Sequence, residues 1–567
     1  MVEGTSRAMI VQFSQIQCCD GIVDSTPIRD LFVIDGCLAE AIPKGSRVDA
    51  HYCLPGHVVF PGGIDIHTHI GGGKVNVARL LLPERSVRNE QRILSDTKPW
   101  LAPLSCPVPN TWETGRRYLQ MGYTTCFEPA MLPAGARHAH AEMRDTPWLD
   151  TGGYVLLGNE RMLLQWIADG VSQPQITDYV AWMLRAHAAC AVKVVNAGGI
   201  DAFKFNQRHM QIDEKHPIYG ISPRQILRAL STAVTDLGLA HPLHVHCSNL
   251  GKAGNIAATL ATVDAVEGRR LHLAHAQYHC YGAEGPHGYS SAAHLLADRV
   301  NGSDRLTIDV GQVLFGQTIT LSADTMHQFD NRKLASPRKT VFQDIECQAG
   351  CGALPFRYRQ SQYVHSLQWS IGLELFLRIR DPRKVFLTTD HPNGGPFTGY
   401  PHLIRLLMDY DFRMSIFEQL HPDVRRTSPL PELKREYTLD EIATSTRSGP
   451  AAALGLVRRG TLEHGALADL AVYRIDSDPE SMFRNPTMVF RRGKLVYRDG
   501  VFLDDCDKTT IVADMLDSER AESWVSRPEH QLAWHARYGY SPTRTAIRRD
   551  ELISAGRLVE ENRRQAT

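Results

Sequence analysis

A (β/α)8 barrel joined to a small β domain that both ends of the chain build is the fold class the sequence predicts, and three observations predict it. Eight short apolar runs, separated by long helical or loop segments, occupy the middle of the chain. Two hairpin-rich stretches flank that middle. Histidines, a lysine and an aspartate recur where the apolar runs end, and in such a barrel the strand ends form the catalytic face.

A chain of 567 residues can bury a large core and exceeds a typical single domain. Residues 1–60 and 451–510 read as the two parts of the small β domain, 61–450 as the barrel, and 511–567 as a charged helical extension. In the first part Leu31–Ile34 and Cys37–Ala39 flank Asp35-Gly36, a pair suited to a tight hairpin turn. The same texture returns in Asp469–Tyr473, Met488–Phe490 and Leu495–Tyr497, with Arg492-Gly493 and Asp499-Gly500 as the turns. Barrel strands are predicted at Ile64–His69, Tyr123–Phe127, Gly153–Leu157, Ala191–Val195, Leu243–His246, Leu271–His275, Leu306–Val310 and Val385–Thr389. Their span exceeds the roughly 250 residues usual for the fold, so insertions are required. Lys74–Thr111 and Thr318–Ser366 are the candidates, both over the catalytic mouth. Asp514–Arg520 and Asp550–Gln565 read as surface or interface helices.

The first barrel strand runs into Ile64-Asp-Ile-His-Thr-His-Ile-Gly-Gly-Gly-Lys74. Residues i and i+2 of a strand share a face, so His67 and His69 can offer two imidazoles to one ion while Gly71 to Gly73 let the backbone turn away. Strand four holds Lys193 among apolar residues, where a cation is costly to bury. Either it reaches a salt-bridge partner or water, or carbon dioxide has converted its amine to an anionic carbamate able to bridge two cations. Strand five offers His244 and His246, strand six His272 and His275. The member of each pair nearer the strand end, His246 or His275, projects toward the mouth, which leaves His244 and His272 for the core or for supporting a ligand. Strand eight ends in Asp390, which as a lone strand-end residue would be a helix cap. As the last member of this set it can bind a buried cation through one oxygen and handle protons with the other. His67, His69, Lys193, His246, His275 and Asp390 together suit two zinc ions sharing one bridge.

With those residues in place the chain resembles the amidohydrolase superfamily. More closely, His67-Thr-His-Ile-Gly-Gly-Gly-Lys-Val-Asn76, Met121-Gly-Tyr-Thr-Thr125, Lys193-Val-Val-Asn196, His246-Cys-Ser-Asn-Leu-Gly251, Asp309-Val-Gly-Gln-Val-Leu-Phe-Gly316 and Thr389-Asp-His-Pro-Asn-Gly-Gly-Pro-Phe397 are similar to the A-type subunit family of formylmethanofuran dehydrogenase. The resemblance implies a binuclear metal centre on the six positions above, with Asp390 as the acid and base. It implies hydrolysis of the N-formyl group of a methanofuran-like cofactor, inside a formyltransferase/hydrolase complex with B, C and D type subunits. The same family also implies an alternative, condensation of formate with methanofuran beside a molybdenum or tungsten subunit. Asn249, Gln277 and His391 are candidates for orienting substrate or for holding a ligand in place.

Composition narrows the choices. Sixty-two basic and 62 acidic residues balance to zero net charge, which argues against nucleic acid or an anionic membrane as main partner. No basic segment leads into an apolar targeting stretch, so the expected location is the cytoplasm. Twelve scattered cysteines without a Cys-x-x-Cys pair are expected to be free thiols, and to leave redox chemistry to partners. Another cyclic-amide or N-acyl hydrolase of the superfamily, and a metal-free scaffold, are the competing readings.

Overall fold

The computed structural model describes residues 8–21, 28–82, 107–322, 324–343, 351–503, 506–516, 518–554 and 557–562. All eight predicted barrel strands are present: β1 (Gly63–Asp65), β2 (Tyr123–Met131), β3 (Asp150–Leu156), β4 (Ala191–Val195), β5 (Leu243–His246), β6 (Leu271–Leu273), β7 (Leu306–Asp309) and β8 (Val385–Phe386). Each pairs in parallel with the next along one sheet. Past the strand ends, a parallel bridge between Thr68 and His391 joins the first strand to the last, with the His69 N–H donating to the His391 carbonyl at 2.8 Å. The predicted histidine and aspartate positions lie at or just beyond the strand ends, whereas Lys193 lies within β4.

Period-two alternation explains why polar groups enter the barrel. Val192 and Val194 of β4, Leu243 and Val245 of β5, Leu271 and Leu273 of β6, and Leu306 and Ile308 of β7 all belong to the large core under the surrounding helices. The alternate residues Lys193, His244, His246, His272 and Asp309 therefore face the barrel axis. Below them Ile64, Ile66, Phe127, Tyr154, Phe386 and Ile511 form a separate apolar plug. The interior is thus layered, apolar at the base and polar toward the mouth.

The small domain is one nine-stranded sheet made from both ends of the chain. Strand His57–Pro61 pairs antiparallel with Leu470–Arg474, and Phe13, Val33, Val59, Val472 and Phe490 are among the residues that fill its core. All three predicted hairpin turns form: Asp35-Gly36, Arg492-Gly493 and Asp499-Gly500 each place two successive residues at positive φ.

Within 511–567 the helical reading is corrected in part. Helices Glu519–Ser526 and Pro528–Tyr538 are present, but Lys508–Ala513 and Arg557–Asn562 are parallel strands, and the first pairs with β3 at Thr151 and Gly152. Asp514 and Asp550 flank these strands, and the apolar run Ile511-Val-Ala513 is too short to mark a strand by itself. Where this strand meets β3, buried Asp150 accepts a hydrogen bond from the Thr509 N–H at 2.6 Å. It also pairs with Arg459 at 2.5 Å and with Arg491 of the small sheet at 2.8 Å.

The second predicted insertion lies over the mouth as a three-stranded sheet, Gly316–Ser322, Val341–Gln343 and Cys351–Tyr358, with helix Thr325–Asn331. Of the first, helix Gly73–Leu81 is present and brings Lys74 to the mouth. Residues 83–106 of that insertion lie outside the described residues. Among the described residues no helix is long and apolar enough to cross a membrane, and nine cysteines are free thiols.

Candidate metal centre

His67, His69, Lys193, His246, His275 and Asp390 all line one cavity at the strand ends. Lys74, Tyr278, Ser322, His327, Tyr358 and Asn393 complete much of its wall. His275 and Asp390 both sit at positive φ, 32° and 48°, which turns their side chains inward just past the strand. Gly311 allows this: a Cβ there would stand 2.3 Å from the His275 Cβ.

A buried relay sets the orientation of His67. The Ala453 carbonyl can only accept, so the His241 Nδ1 3.0 Å away carries a hydrogen. Burial holds His241 and His244 well below the ordinary histidine range, so both are neutral. His241 Nε2 then accepts from His244 Nδ1 at 3.0 Å, and His244 Nε2 faces His67 Nδ1 at 3.1 Å. The His67 Nδ1 hydrogen is shared with Asp309 Oδ2 at 2.9 Å. Its Nε2 lone pair is consequently left for the cavity. Asp309 also receives His272 Nε2 at 3.1 Å, the His275 N–H at 2.9 Å and the Thr388 hydroxyl at 2.9 Å. His244 and His272 lie one layer below the mouth.

His69 is held in the same way, its Nδ1 on Glu128 Oε1 at 2.9 Å while Glu128 Oε2 takes the N–H groups of Ile70 and Gly71. His246 places Nε2 3.3 Å from Asp324 Oδ2, so its Nδ1 is the nitrogen left free. Asp390 Oδ1 lies 3.1 Å from His67 Nε2 and 3.3 Å from His69 Nε2. Burial raises the Asp390 carboxyl, but His275 and His67 outweigh that and hold it well below the carboxylate range.

Two observations test the set against a pair of divalent cations. Lys193 Nζ and His275 Nδ1 are buried with no hydrogen-bond partner, each a costly state for a polar atom. The imidazoles and the carboxylate also aim their remaining lone pairs at one space, forming compact groups such as His67, His275 and Asp390. The residues present fit the cations.

Of the other predicted residues, Asn249, Gln277 and His391 are not among those lining the cavity. Gln277 donates to the Gly311 carbonyl at 3.2 Å, and the His391 carbonyl holds His69, so both brace the strand ends. Sequence reasoning passed over Glu128, Asp309, Asp324, Lys74, His279 and His327. Glu128 and Asp309 were within reach, being carboxylates near the ends of β2 and β7. Asp324 and His327 come from the insertion, where no strand rule applies. Since a carboxylate behind a ligating imidazole strengthens metal binding, Glu128→Gln is expected to weaken cation affinity about 10–100-fold, read by chelator competition.

A barrel of this topology with this donor set defines a metal-dependent amidohydrolase. The model of the Amidohydrolase family matches residues 54–501. The chain is 41% identical over 517 residues to the A-type subunit of the formyltransferase/hydrolase complex Fhc of Methylorubrum extorquens, covering 89% of this chain and 92% of that one. It is 38% identical over 506 residues to the protein FwdA of Methanocaldococcus jannaschii, covering 86% and 87%. Among solved structures, the formyltransferase/hydrolase complex (FhcABCD) from Methylorubrum extorquens with methylofuran contains a chain matching at TM-score 0.88 and 37% identity, with 98% of this chain and 100% of that one covered. The chain therefore belongs to the amidohydrolase family and, within it, to the group that includes FwdA and the A-type subunit of Fhc.

Proposed function

We propose that this protein is the hydrolytic, A-type subunit of a formyltransferase/hydrolase complex in the cytoplasm, acting with B, C and D type subunits. Its substrate is then the N-formyl group of a methanofuran-type cofactor and its product formate. The observation that carries the reading is the meeting of six donor side chains around one cavity in a chain 41% identical to the A-type Fhc subunit. The cations are assigned as zinc from the nitrogen and oxygen donors. Lys193 is assigned as the bridge after carboxylation. Burial brings its ammonium down to about 7, so the neutral amine that adds carbon dioxide is populated, and the resulting anion relieves the orphaned Nζ.

Two such cations supply Lewis acidity that makes water nucleophilic near neutral pH and polarises the formyl oxygen. His67, His69, His246, His275 and the Lys193 carbamate would hold them. Asp390, an anion at neutral pH, takes the proton from the attacking water as the new C–O bond forms. It then delivers that proton to the amine nitrogen as the C–N bond breaks, so the N-formyl group and water leave as formic acid and amine, and the acid's proton passes to the amine to give formate and the ammonium product. The cavity wall at Tyr278 and Tyr358, whose hydroxyls are 2.9 Å apart, is used up internally because Tyr358 donates on to the Asn393 carbonyl. That wall therefore shapes the pocket and excludes water.

The test is formate release from formylated cofactor by the purified complex. Release that stops on chelation and returns with zinc is expected. Two bound zinc ions without formate release, with the partner subunits added, would overturn the assignment.

A further inference from the structure

His279 is a buried imidazole for which the reaction just described has no use. It is 1% exposed, and neither ring nitrogen has a hydrogen-bond partner. A neutral imidazole must carry one N–H and one lone pair, so both are left unsatisfied. Such a residue calls for an absent partner.

Its neighbours indicate which partner. His279 ends the short helical turn Ala276–His279 that starts at His275, four residues earlier. Its ring centre is 5.3 Å from that of His275 and 5.3 Å from that of His246, and those two are 4.5 Å apart. An ion about 2.0–2.1 Å from each of three nitrogens lies about 3.2 Å from each ring centre, and tetrahedral angles then separate the centres by about 5.2 Å. The three rings are already close to that spacing. One nitrogen from each also lies within 4.8 Å of the other two, against about 3.3 Å around a bound zinc, so closure needs shifts of about 1 Å or less per side chain.

We infer that His246, His275 and His279 form a three-imidazole site that holds one divalent cation without the Lys193 carbamate. This inference rests on the binuclear reading above and adds a loading order to it. The cation on the β5 and β6 side enters first, on neutral nitrogens alone. The cation near His67 and His69 follows, when carbon dioxide has turned Lys193 into an anion. Carbon dioxide thereby sets the occupancy of the second position and leaves the first unaffected.

The experiment loads the metal-stripped full-length protein, in the assembly in which it purifies, with cobalt(II). Metal analysis and the cobalt absorption spectrum are read with and without bicarbonate. Wild type is expected to bind about one equivalent in carbon-dioxide-free buffer and about two with bicarbonate. His279→Gln is expected to lose the equivalent bound without bicarbonate, and Lys193→Ala to keep about one equivalent under both conditions. Wild type that binds no cobalt without bicarbonate overturns the inference. So does His279→Gln that binds as wild type does. Wild type that never exceeds one equivalent with bicarbonate overturns the binuclear reading instead, which keeps the two failures apart.

Discussion

Asp390→Asn is expected to lower kcat for formate release by about 10²–10⁴-fold, the range spanned by a positioned proton-transfer group. The substitution is close to isosteric, and its remaining carbonyl oxygen can stay 3.1 Å from His67 Nε2 and 3.3 Å from His69 Nε2, where Asp390 Oδ1 now lies. An amide cannot accept a proton at neutral pH, so only the transfer step is removed. The predicted signature is thus a large fall in kcat with KM changed little and both cations retained by metal analysis. Asp390→Ala should differ by losing metal as well. A steady-state assay that finds Asp390→Asn within tenfold of wild type would remove Asp390 from the role of acid and base.

Asp150→Ala is expected to destabilise the protein by about 3–5 kcal/mol, the usual cost of breaking a buried ion pair from one side. Asp150 opens β3 and is fully buried, and its partners Arg459 and Arg491 are buried with it. Removing the carboxylate would take the shortest ion pair from both guanidinium groups, leaving Arg491 facing Asp469 at 3.4 Å and Arg459 facing Asp469 at 3.2 Å and Glu560 at 2.7 Å. The Thr509 N–H would lose its acceptor too, so the damage should spread to the joint between the barrel, the small sheet and the C-terminal strand. Burial raises the Asp150 carboxyl, but Arg491 and Arg459 outweigh it and leave the group below the usual carboxylate range. A depressed folded-state pKa means that the stabilisation is complete above the unfolded carboxylate pKa of about 3.9 and is lost as the pH falls further. Thermal unfolding of wild type and Asp150→Ala at pH 7 and near pH 3 measures both effects, and the gap between them should narrow in acid. An equal gap at both pH values would contradict this.

Much of the architecture could be read from local chemistry. The hairpin turns at Asp35-Gly36, Arg492-Gly493 and Asp499-Gly500 were legible because positive φ at two successive residues is a demand that few pairs satisfy. The barrel strands were legible because short apolar runs separated by long helical or loop segments repeat eight times. The strand Lys508–Ala513 was not, because its place is decided by a gap beside β3 that no local pattern announces.

The same division runs through the site. His67, His69, Lys193, His246, His275 and Asp390 could be named in advance, since a strand's two-residue period and the barrel's polarity limit which side chains reach the mouth. Which nitrogen each imidazole presents could not be. That depends on Asp309, Glu128, Asp324 and His244, which lie between 59 and 242 residues away from the histidines they orient. The sequence by itself thus determined the barrel, the hairpins and the donor types. Only the tertiary structure decided the direction of every lone pair and the company His279 keeps, because hydrogen bonds between distant strands are set by packing and leave no periodic trace in the chain.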